Sequence, residues 1–231
     1  MREPRSEPGR EAGPENAAEG GPEGRSAPTS GAASTTVGRV ASDADLRTRL
    51  VDVGVDLVAR EGAGALTLRE IARRAGVSHG APRRYFPTHL ELLSAIAHRG
   101  FTDLAARVGS TRGDGRTGPR GQLTELSRVY LRFALENSGM YELMFRHDLL
   151  ESGHLRLRDT SLPLFGVLVE LVGRVRMDAD ARAVAAALWA NLHGIAQLWR
   201  WGSLQLATGA DDFEPLLRAA LDAHLGPGDR R

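Results

Sequence analysis

Cysteine and lysine are both absent from the 231 residues of this chain. Without cysteine there is no disulfide, no thiolate nucleophile and no thiolate-bound metal. Without lysine all 30 basic side chains are arginine, a bias that fits a GC-rich coding sequence and also supplies planar forks suited to phosphate. Strong charge of either sign is lacking: the formal net charge is +1, so the chain as a whole favours no class of partner. Long apolar runs are missing too, none approaching the roughly 20 residues needed to cross a bilayer. The stretch Met1 to Gly31 has no apolar core of a signal peptide. A soluble, cytoplasmic protein without membrane contact is expected. The 7 histidines are scattered, with no His-Glu-x-x-His, no Ser-His-Asp grouping and no phosphate loop. No metal site or cofactor is expected, and the chain does not read as an enzyme. An enzymatic alternative would have to use Glu142, His147 and Asp148, which no pattern places around a substrate.

What is present is helical periodicity. Residues 1–40 are rich in Gly, Pro, Glu, Ser and Arg, with hardly a large apolar side chain before Val37; they read as a disordered tail, unable to bury enough surface to offset ordering. From Ser42, the residues Leu46, Leu50, Val53, Leu57 and Val58 form one apolar stripe at three- and four-residue steps, ended by Gly62 and Gly64. Thr67 is placed to cap a short helix from Leu68 to about Arg74. Gly76 then breaks the chain, and Ser78 is placed to cap a third helix reaching Tyr85 and Phe86. Pro87 stops it, and Thr88 caps a long helix to about Val108. A polar, glycine-rich loop, GSTRGDGRTGPRG, spans 109–121. Further helices are expected near 122–137, 139–150, 162–176, 179–201 and 212–225, with Pro163 in a first turn and Asp178 and Asp211 as caps. Strand-like alternation is almost absent, so the fold class is all-α.

The segment TLREIARRAGVSHGAPRRYF, Thr67 to Phe86, has the spacing of a helix-turn-helix. Ile71, Ala75, Val77 and Pro82 supply a small core, Ala72 permits close approach, and Gly76 suits a left-handed turn. Arg69, Arg73, Arg74, Arg83 and Arg84 stand against Glu70 alone, a local cationic field of the kind DNA attracts.

The run Leu46 to Ile96, with TLREIARRAGVSHGAPRRYFPTHLELL at its heart, resembles the DNA-binding domain of the tetracycline-repressor (TetR) family. The resemblance implies a homodimer that places two recognition helices in successive major grooves of a palindromic operator, and a helical C-terminal domain for effector binding and dimerisation. It implies a DNA-binding domain at 41–91, three helices with a helix-turn-helix, and an effector-binding and dimerisation domain at 92–231. Carried over by position, Thr67, Tyr85 and His89 are candidates for backbone contact. Ser78, His79, Ala81, Arg83 and Arg84 are the base-side candidates on the recognition helix. Ser78 could equally be only a cap, and Tyr85 only a packing residue. The chain departs from the family where Arg83, Arg84 and Tyr85 replace the usual Tyr-Arg-His, and where His89 replaces a lysine. Arg83 could read guanine through a bidentate contact that tyrosine cannot make.

The block WANLHGIAQL, with Trp189, His193 and Gly194, resembles a C-terminal domain of the family named for a Trp-His-Gly signature, as does YLRFALENSGMYELMF upstream. Trp189 and His193 share a helix face and either form a packing knot or line an effector cavity. The same two readings are open for Tyr130, Phe133, Met140, Tyr141, Met144, Phe145 and His147. The small-sided helix carrying Ala183, Ala186, Ala187 and Ala190, and the last helix with Phe213, Leu216, Leu217, Ala220 and Leu221, fit the four-helix dimer interface that the resemblance implies, through 179–201 and 212–225. The expected partners are double-stranded operator DNA, a small, largely apolar effector and a second copy of the chain. The rival to a ligand-released repressor is an architectural DNA binder with no effector cavity.

Overall fold

The computed structural model describes residues 32–111 and 117–228, with side chains from residue 45 onward. Among the described residues there are helices and no strand, as an all-α chain requires. The described residues divide into two units between Val40 and Ala41; the helix-turn-helix and the helical bundle both belong to the second.

Helix α1 (Ala32–Glu61) begins ten residues before Ser42, in a stretch free of proline where each added residue gains one backbone bond. The end of the expected tail, 32–40, is therefore helical; residues 1–31 lie outside the described residues. Leu50, Leu57 and Val58 are buried on the stripe read from the sequence. Helix α2 (Leu68–Arg74) starts on Thr67, whose hydroxyl oxygen accepts from Glu70 N–H at 3.2 Å. It ends in a Schellman turn: Gly76 has φ +67°, Gly76 N–H bonds Arg73 O and Val77 N–H bonds Ala72 O. Ile71 and Ala72 are fully buried here, and a buried isoleucine side chain contributes about 1.5–3 kcal/mol.

The third helix differs from expectation. It is a single 3-10 turn, Ala81–Arg84, preceded by a turn at Ser78, His79 and Gly80. Pro82 is the cause: with no N–H it cannot complete the α-helical bond to the Ser78 carbonyl, and Ala81 N–H takes that oxygen instead at 3.0 Å. Ser78 does not cap it; the N-cap position is Gly80, with no side-chain bond.

Helix α3 (His89–Thr111) begins on Thr88, whose hydroxyl accepts from Glu91 N–H at 3.2 Å. Helix α4 (Pro119–Glu136) follows. The single helix expected at 139–150 is split into α5 (Ser138–Met144) and α6 (His147–Glu151). Arg146 between them has an extended backbone, ψ 124°, with its guanidinium on Asp148. Helix α7 (Leu157–Val175) starts earlier than 162 because Leu157 is anchored in the core, so Pro163 lies inside the helix on its exposed side. Helix α8 (Ala181–Arg200) is capped by Asp180, which accepts from Arg182 and Ala183 N–H. Asp178 is instead engaged by Arg176. An unforeseen short helix α9 (Ser203–Thr208) precedes α10 (Glu214–Leu225), whose N-cap position is Phe213 and not Asp211.

In the bundle α7 packs on α8 and α4, α10 on α8, and α3 on α4, α5 and α7. Arg128 fastens α4 to Glu214 of α10, and Arg120 fastens it to Asp222 at 2.6 Å. No helix among the described residues is long and apolar enough to cross a membrane.

Candidate DNA-facing surface and ligand cavity

The arginines of the helix-turn-helix are not equivalent. Glu70 binds both Arg73 (2.9 and 2.6 Å) and Arg74 (2.7 Å), and Arg74 also reaches Glu61. These hydrogen bonds pull the Glu70 carboxyl down to about 2. Arg69, Arg83 and Arg84 are exposed and have no carboxylate partner among the described residues. The cationic field is thus concentrated on the 3-10 turn and the start of α2. Ser78 and His79 are exposed beside it and Ala81 is half-buried. Tyr85 is half-buried against the core. His89 places its Nε2 2.6 Å from Leu66 O, the residue next to Thr67, so two backbone-contact candidates from separate elements stand together. Arg47 of α1, which no local pattern singled out, lies over the Phe86 ring at 5.0 Å.

In the C-terminal bundle the aromatic group is closed on itself. Trp189 Nε1–H donates to the Tyr130 hydroxyl (3.2 Å), which lies 2.8 Å from the Tyr141 hydroxyl, itself 2.6 Å from His193 Nδ1. Burial holds His193 below its usual range, favouring the neutral ring, and pushes Tyr130 up to about 12. Burial likewise raises Tyr141. Phe145 fills the centre, 4.9 Å from Tyr141 and 5.0 Å from His193 between ring centroids.

Beside this group is a cavity of about 300 Å³ lined mainly from α3, α4, α7 and α8, with Phe145 at the end of α5 and Leu150 of α6. Of the nine sequence candidates, Tyr130, Phe145 and Trp189 line it. Phe133, Met140, Tyr141, Met144 and His193 do not: Phe133 and Tyr141 are fully buried in the core, Met140 and Met144 pack against Gly100, and His193 stands behind Tyr130. Their apolar character serves packing because α5 lies behind the cavity wall. His147 is exposed and paired with Glu151 at 3.3 Å. The lining that sequence reasoning missed includes Phe101, Leu104 and Val108 of α3 and Phe165 and Leu168 of α7; the only signal for them was an apolar stripe, which core residues share. Glu142 and Asp148 are engaged by Arg200 and Arg146, and neither lines the cavity.

Residues 50–96 match the family of bacterial regulatory proteins of the tetR type, and residues 123–224 match the tetracyclin repressor-like C-terminal domain. The fold is similar to that of a Rhodococcus sp. RHA1 protein of unknown function (26% identity, TM-score 0.67, covering 78% of this chain and 93% of that one). It is similar also to the TetR family transcriptional regulator PfmR from Thermus thermophilus (18% identity, TM-score 0.58, 79% and 100%). A TetR/AcrR family regulator from Thermobifida fusca shares it too (21% identity, TM-score 0.56, 81% and 100%). No curated protein matches the chain. The chain belongs to the TetR family of transcriptional regulators.

Proposed function

We propose that this regulator is a homodimeric repressor that binds a palindromic operator and is released by a small, largely apolar molecule. The observation that carries the reading is the path of α3. Its first residue follows the recognition segment by only a few positions, and its Phe101, Leu104 and Val108 form one wall of the cavity. A ligand that reshapes that wall acts on the helix directly behind Arg83 and Arg84. Residues 41–91 then serve as the DNA-binding domain and 92–231 as the effector and dimerisation domain. Ser78, His79, Ala81, Arg83 and Arg84 face bases; Thr67, Tyr85 and His89 serve the backbone. Dimerisation is assigned to α8 and α10. Ala183, Ala187 and Ala190 are exposed along α8, Gly194 has open space beside it, and Leu198 and Trp201 extend the same stripe.

The test is to sequence the genomic fragments that the purified chain retains. The expected result is an inverted repeat with half-sites about one helical turn, ~34 Å, apart. Retention of unrelated fragments without symmetry would reject the operator reading. Ligand titrations with and without saturating operator then measure coupling, expected at about 1–3 kcal/mol and reciprocal; equal ligand affinity in the two would reject induction.

A further inference from the structure

The two ends of the cavity differ in what they offer a ligand. At the closed end Leu104, Leu126, Leu168 and Leu192 are buried hydrocarbon. The Tyr130 hydroxyl, also in the lining, is already occupied by Trp189, Tyr141 and His193. None of these buried lining residues has a polar group left over for a guest. The rim, where Leu162 and Trp189 are partly exposed, adds two polar side chains, Ser161 and Arg182. Arg182 is the only charged residue of the lining and has no carboxylate partner among the described residues. Its guanidinium lies over the Phe165 ring, 5.6 Å from the centroid. Ser161 precedes Phe165 by four residues in α7, so it sits one turn away on the same face. A guanidinium and a hydroxyl thus share one side of an otherwise apolar opening.

Resting on the reading of this cavity as the effector site, we infer that its ligand is a medium-chain monocarboxylate, with the carboxylate at Arg182 and Ser161 and the apolar body directed inward. A carboxylate matches the planar arginine fork, and its single charge is balanced by the single cation. A phosphate monoester would bring nearly two charges to a rim that neutralises one. At about 30 Å³ for each water-sized group, the cavity has room for roughly ten heavy atoms, the size of octanoate.

The experiment is direct calorimetric titration of the full chain, without DNA, with octanoate, 1-octanol and acetate. Octanoate is expected to bind at least tenfold more tightly than 1-octanol, and acetate not at all. Arg182→Gln should abolish the preference for octanoate and leave 1-octanol binding unchanged; Ser161→Ala should weaken octanoate several-fold. Arg182 is exposed, so the variant should keep the thermal midpoint of the parent, and its unchanged 1-octanol binding reports an intact cavity. Equal binding of octanoate and 1-octanol by the parent, or a preference that survives in Arg182→Gln, would overturn the assignment. Octanoate binding that leaves operator affinity untouched would count against induction while leaving the carboxylate site standing.

Discussion

Between Thr67 and His89, guanidinium groups are left over once Glu70 and Glu61 have taken Arg73 and Arg74; around Tyr130, each polar group is met by another from within the chain. The first region is a surface whose chemistry is set by surplus. The second is a closed ring of donors and acceptors whose contribution is shape. Surplus charge attracts a polyanion at long range, whereas a satisfied network in a low-dielectric interior holds its members in one arrangement. A cation left unpaired on the surface costs little, but an unpaired buried donor costs about 1–3 kcal/mol. That asymmetry fits the outward placing of Arg83, Arg84 and Arg182, whereas the small hydroxyls of Ser94 and Ser127 are buried without a partner among the described residues.

The sharpest break of this contrast is to place charge on each side of it. Leu217, expected from its spacing to face a partner subunit, is buried in its own chain at 1% exposure, while Ala187 is exposed. Leu217→Glu should lose several kcal/mol of folding stability, since a lone buried charge is uncompensated, read as a collapse of the urea midpoint. Ala187→Glu should keep that midpoint and sediment as a monomer; a dimeric Ala187→Glu would remove α8 from the interface. Next in size, Arg83→Ala and Arg84→Ala should each lose about 1–3 kcal/mol of operator affinity with relaxed specificity at one base pair. Arg73→Ala, whose charge is already met by Glu70, should lose far less in the same gel-shift series. Identical losses at all three positions would erase the distinction between surplus and paired arginines.

Inside the ring, Tyr141→Phe removes a hydroxyl but leaves His193 Nδ1 within 3.0 Å of the Tyr130 hydroxyl. The expected cost is about 1 kcal/mol, a typical net hydrogen bond; no change in thermal midpoint would mean the ring is not a unit. The smallest effect concerns pH. Glu70 titrates about 2 when folded, below its ordinary value of 4.5. A carboxylate depressed in the folded state adds stability above the unfolded value, and that stability is lost as pH falls through the folded one. Between pH 4.5 and 2, Glu70→Gln should therefore lose less stability than the parent, by melting curves. Parallel curves would show that the Arg73 and Arg74 contacts are not maintained in solution.

The parts of this contrast that were legible in the sequence are the local ones. Thr67, Gly76 and Thr88 act on backbone groups within a turn of the chain, so their roles follow from type and position. Ser78 looked like a cap by the same rule, but Pro82, one helical turn on, withholds the N–H that an α-helical turn needs. Asp178 failed for a similar reason, because Arg176 close by in the chain competes for its carboxylate. The cavity was legible only as a collection of apolar side chains. Periodicity tells which face of a helix is buried, and Tyr141 and Phe101 are buried equally well. Whether a neighbouring helix or empty space meets that face depends on how α3, α5 and α7 are spaced, which no repeat within one helix encodes. Arg182 had no local pattern at all, since an isolated arginine on a helix surface resembles any other.

At Gly139 the start of α5 meets the end of α1 without a side chain between them: a Cβ there would collide with the Val58 carbonyl oxygen and stand 3.0 Å from Gly62 Cα. Side chains in a contact can rotate and absorb displacement, but two touching backbones cannot. The junction is therefore a spacing that side-chain adjustment cannot change. Downstream on the same short stretch, Phe145 reaches the cavity; upstream of Thr67, residues 62–66 carry the support of α2. The separation of α5 from α1, and with it the placing of these two stretches, is therefore set by one missing methyl group.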